Sequence, residues 1–119
     1  MGQIMRFQEI LRKLAIIDEG FIEDQARLGL DPAGPAALDA KTAALVRVGV
    51  LAAIGAPAVG LEWGTTRALA TGATADEITG VLLAIAPVAG LGRVVGAVTD
   101  VAAALGYDVE AALHDPDEH

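Results

Sequence analysis

The chain has 119 residues, enough for one domain of roughly 100–150 residues. Its apolar set makes up 54% of the residues, above the share at which disorder is expected, yet only four side chains are aromatic: Phe7, Phe21, Trp63 and Tyr107. There is no Cys, Ser or Asn, and the net charge is −8. That excludes disulfides, thiol redox chemistry and Ser or Cys nucleophiles, and it disfavours phosphate-backbone and anionic-membrane binding.

The first predicted helix covers residues 3–17, where Ile4, Phe7, Leu11 and Leu14 recur at helical spacing among Arg6, Glu9, Arg12 and Lys13. Interrupting charges and the lack of a small-residue cleavage site argue against a signal peptide, and Arg6 occupies the place where a myristoylation motif needs Ser or Thr. Asp18 is a good N-cap for a second short helix with Phe21, Ile22 and Leu28 on its apolar side. Asp18, Glu19, Glu23 and Asp24 form an acidic cluster in which Glu19 and Glu23 share one exposed helix face, so solvation rather than catalysis is expected.

Residues 29–37, GLDPAGPAA, read as a loop. Asp39 caps a helix running to about Ile54. Lys41 just inside it opposes the helix dipole unless an acid such as Asp39 offsets it. The next helix takes Pro57 in its first turn and ends at Gly72. Thr74-Ala-Asp-Glu77 is a capping box that opens another helix, which Pro87 and Gly90 should kink or end. A helix from about Leu91 to Leu105 stops at Gly106, and Asp108 caps a last turn from Val109 to Leu113. No segment alternates over strand length, so the fold class is all-α, with five to six helices in one domain over residues 1–113 and a polar tail at 114–119.

The segments at 50–61 and 81–91, VLAAIGAPAVGL and VLLAIAPVAGL, echo each other as two Ala-rich pieces of one composition would. Neither apolar stretch reaches the roughly 20 residues of a membrane span, being bounded by Arg47 and Glu62 and by Glu77 and Arg93. The reading is of buried helices in a soluble, cytoplasmic oligomer. A core of small residues leaves one chain short of surface to bury, so the expected partner is the chain itself.

From Leu38 onward the sequence LDAKTAALVRVGVLAAIG, followed by GLEWGTTRALATGATADEITGVLLAIAPVAGL, resembles the carboxymuconolactone decarboxylase family, which includes the alkylhydroperoxidase D-like proteins. The resemblance spans residues 38–113 and is most specific from Ala68 to Gly90. It implies an all-helical subunit assembled as a homotrimer or homohexamer. The family's Cys-x-x-Cys-x-x-x-His falls on Pro57, Gly60 and Gly64, and its upstream acid falls near Ala43 to Leu45, so no catalytic group carries over.

The expected function is therefore that of a pseudoenzyme of this family: a non-catalytic helical oligomer or a small-molecule binding protein with no cofactor. The alternative is a divergent decarboxylase or lactone-processing enzyme acting on a small organic acid. In that alternative Glu62 serves as proton donor and Arg67 or Arg47 holds the anion. Candidate ligand-binding residues are Arg47, Trp63 and Arg67, with a small anionic organic molecule as ligand and no nucleic acid or membrane as partner. Trp63 is otherwise a core or interface anchor, and Glu62 and Arg67 otherwise belong to a solvated face. Arg47, alone among Ala, Leu and Val, needs a carboxylate, within the chain or on another subunit, or else a ligand. His114 and His119, with Asp115, Asp117 and Glu118, make a poor metal site in a frayed tail, and no metal is expected.

Overall fold

The computed structural model describes residues 6–28 and 38–114. The readings for Ile4, for the loop at 29–37, for the Leu28 side chain and for residues 115–119 lie outside the described residues. Every regular element described is helical: α1 Phe7–Ala15, α2 Glu19–Leu28, α3 Ala40–Ala53, α4 Ala58–Ala70, α5 Ala75–Ala89, α6 Leu91–Ala104 and α7 Val109–His114. The all-α class holds, with seven helices among the described residues instead of five to six. The chain divides into two compact units, residues 1–43 and 44–119.

In the first unit, α1 and α2 pack as a short helical hairpin. Asp18 organises the join. Its Oδ1 accepts the Phe21 N–H at 3.0 Å, and its Oδ2 lies 3.5 Å from Lys13 Nζ, which sits 5.8 Å above the centre of the Phe21 ring. The Phe21 N–H, and secondarily the Lys13 ammonium, hold the Asp18 carboxyl below the usual carboxylate range. The turn closes with Asp18 N–H bonding to the Lys13 carbonyl and Ile17 N–H to the Leu14 carbonyl, a Schellman arrangement that puts Ile17 at φ 54°. None of the α1 side chains is buried, and Phe7 keeps 67% of its surface exposed.

In the second unit the helix ends are where the turn chemistry puts them. The same Schellman hydrogen bonds end α3 at Gly55, α4 at Gly72 and α6 at Gly106, all with positive φ that glycine adopts without steric penalty. Thr74 and Glu77 form the complete reciprocal box at the start of α5, and Asp108 accepts the Ala111 N–H at 3.0 Å. Pro87 sits inside α5, and the helix ends two residues beyond it, with Gly90 as its C-cap. Asp39 caps α3 through Thr42 N–H at 2.7 Å, and its carboxyl is held low first by Thr42 and then by Lys41. The two echoing segments differ in form: the first is broken by the turn at Gly55, whereas the second is continuous helix up to Gly90.

Within this unit α6 is central, packing chiefly on α4, then on α5, with α7 against its end. The core is built from Val48, Leu61, Ile78, Leu82, Val94 and Val101, spaced by Ala44, Ala52, Ala68 and Ala97. Small residues set the approach of the helices. A Cβ at Gly49 would lie 3.1 Å from Val81 Cγ1, so α3 sits close against α5. The buried polar side chain, Thr65, donates to the Leu61 carbonyl at 2.8 Å, and no buried polar side-chain atom among the described residues lacks a partner. Large apolar residues are left outside: Val46, Val50 and Ile54 on α3, Val59 on α4, Leu83 and Val88 on α5, and Leu91 and Val95 on α6 are all exposed.

Candidate functional site

The place to look is the α3–α4 hairpin, which carries all four candidate residues. The turn at Ile54–Pro57 folds α4 back on α3, and the two helices meet where Leu51 faces Gly64. Gly64 is buried. A Cβ built on it would lie 2.5 Å from Leu51 Cδ1, closer than carbon atoms approach without one of them moving. The space at the position is taken by a neighbouring methyl group, the end of the Leu51 side chain.

Arg47 lies one turn before Leu51 on α3 and is half-buried. Among the described residues no carboxylate lies within 4.0 Å of its guanidinium, so the intrachain ion pair expected of it is absent there. Glu62 and Trp63 lie on the outside of α4, and Trp63 keeps 55% of its surface exposed. Trp63 is thus not an anchor of this unit's own core. Arg67 is half-buried and follows Val59 and Trp63 at four-residue intervals, so the three share one side of α4.

The hairpin therefore carries two guanidinium groups, one carboxylate and one indole. A shallow depression of about 410 Å³ lies elsewhere, at the join of α6 and α7, lined by Thr99, Ala103, Tyr107, Asp108, Val109 and Glu110. Arg47, Glu62, Trp63 and Arg67 do not line it. Sequence reasoning missed this depression because its walls are ordinary residues of a helix end and a capping turn. Among the described residues there is no group of three His, Asp or Glu side chains placed to hold a metal ion, and no helix long and apolar enough to cross a membrane. Comparison with family models, with curated proteins and with solved structures finds no match to the chain.

Proposed function

We propose that this chain is a non-catalytic helical homo-oligomer of the carboxymuconolactone decarboxylase type, acting as an assembly or small-molecule binding module. One observation carries the non-catalytic part: the Leu51 methyl occupies the space where a side chain at position 64 would begin. Without a side chain there, the hairpin has no imidazole or thiol to move a proton or attack an electrophile. Glu62, the remaining acid of the hairpin, is exposed on the outside of α4. Self-association is supported by the large apolar side chains left outside α3–α6. A trimer or hexamer is the stoichiometry the family resemblance implies.

The test has two readouts on the purified full chain. Light scattering should give a mass several times 12.1 kDa at micromolar concentration. Incubation with carboxymuconolactone should release no carbon dioxide above a heat-inactivated control. A monomer would overturn the assembly reading, and turnover that disappears in Glu62→Gln would establish the divergent enzyme instead. The half-buried Arg47, with no acid beside it among the described residues, favours one second reading, in which it holds a small organic anion with Trp63 and Arg67 nearby. Calorimetric titration with a panel of small dicarboxylates reads that out directly.

A further inference from the structure

We propose that the depression at the join of α6 and α7 binds a small aliphatic amine as its ammonium ion, a diamine in preference to a monoamine. The site lies apart from the α3–α4 hairpin and stands or falls independently of the reading given to that hairpin. Its volume of about 410 Å³ is within the range of small-ligand sites. Three kinds of surface border it. Ala103 and Val109 contribute aliphatic groups, Tyr107 contributes an aromatic ring, and Thr99, Asp108 and Glu110 contribute one hydroxyl and two carboxylates.

The polar groups have capacity to spare. Asp108 Oδ1 accepts the Ala111 N–H at 3.0 Å, which leaves Oδ2 uncommitted. Among the described residues neither the Glu110 carboxylate nor the Tyr107 hydroxyl has a partner. No Lys, Arg or His lines the depression. The last turn of α6 carries no basic residue, so no cation of that helix offsets the negative end of its dipole. The sequence runs the same way: beyond Arg93 it has six Asp or Glu and no Lys or Arg, so most of the net charge of −8 belongs to this last stretch.

Every charged side chain that lines the depression repels an anion. A metal ion is poorly served, since no three His, Asp or Glu side chains converge among the described residues. An organic cation uses all the surfaces at once. Its ammonium donates charge-assisted hydrogen bonds to a carboxylate and is attracted to the face of the Tyr107 ring, while its methylene groups cover Ala103 and Val109. An aliphatic amine carries its proton at neutral pH. A second ammonium answers the second carboxylate, which is why the diamine is preferred.

Tyr107 is the only tyrosine in the chain, so its ring proton resonances report on this site alone. Titrating the full chain with 1,4-diaminobutane at constant ionic strength should shift those resonances saturably at millimolar concentration. Butylamine should bind more weakly, and 1,4-butanediol and succinate should leave the ring unmoved. Asp108→Asn keeps a capping side chain and removes its charge. It and Glu110→Gln should each weaken diamine binding about threefold or more. Asp76→Asn, an exposed acid in the first turn of α5, should leave binding unchanged. Circular dichroism separates loss of binding from loss of helix, and should Asp108→Asn unfold α7, Glu110→Gln still decides. The proposal is overturned by a ring that does not respond to the diamine, by an equal response to sodium chloride, or by an Asp76→Asn effect as large as that of Asp108→Asn. Either of the last two would mean diffuse screening of an acidic chain instead of a site.

Discussion

The α1–α2 hairpin and the α3–α6 bundle use apolar residues in opposite ways. In α1 the apolar and polar residues separate cleanly around the helix, yet no side chain is buried. In α3 apolar residues lie on all sides, and the buried side is the one with the smallest: Ala44, Gly49 and Ala52 beside Val48. Amphipathic pattern reports that a helix could bury a face, whereas residue size reports which face another helix has approached. In α3 the second signal decides the buried side and leaves Val46, Val50 and Ile54 exposed, whereas α5 buries its large Ile78 and Leu82.

The sharpest way to break this contrast is to excavate one unit and not the other. Ile78, fully buried in α5, should cost about 2–5 kcal/mol on truncation to Ala. The loss should appear as an earlier urea midpoint, while the Leu11→Ala change on exposed α1 should shift it by no more than about 0.5 kcal/mol. Equal shifts would mean that α1 buries its face after all.

A smaller effect of opposite sign belongs to the α1–α2 turn. Ile17 is the one described residue other than glycine at positive φ, in a motif that Gly55, Gly72 and Gly106 fill elsewhere. A left-handed conformation costs an L-residue about 1–2 kcal/mol, and glycine returns part of that in chain entropy. Ile17→Gly should therefore slow amide exchange at Asp18 and raise the melting point slightly. Faster exchange at Asp18 would show that Ile17 is held by contacts worth more than its strain.

The smallest effect concerns acid. The Asp18 carboxyl is depressed in the folded hairpin, first by the Phe21 N–H and then by Lys13. A depressed carboxylate contributes stability above its unfolded pKa of about 3.9 and loses it as pH falls through the lower folded value. Helix signal from the hairpin should fade on acidification through that window. In Asp18→Asn the hairpin should show a weaker pH dependence there, checked by circular dichroism across pH 2–6.

What the sequence made legible was local. The caps at Asp18, Asp39, Thr74 and Asp108 and the stops at Gly72 and Gly106 are decided within five or six residues, so composition and spacing suffice. Ile17 was illegible because a β-branched residue is the last one expected at positive φ. The surroundings of Trp63 and Arg47 were illegible for a different reason. Which side of an all-apolar helix faces inward depends on partners far along the chain, and a lone Arg in such a helix looks the same whether its acid lies inside the subunit or outside it. In the candidate hairpin the close approach of Leu51 to Gly64 was not legible, since nothing near Leu51 in sequence signals its methyl group's position.

The contact between Leu51 and Gly64 also couples change at the two positions. Any side chain introduced at 64 must displace the Leu51 methyl, the far end of a flexible, partly buried side chain, so a small residue there needs Leu51 to change rotamer. Shrinking 51 alone opens a void and weakens the bundle. A library that varies 64 therefore reads out how far Leu51 can turn, and combining it with a smaller residue at 51 separates the room position 64 needs from the void left at 51.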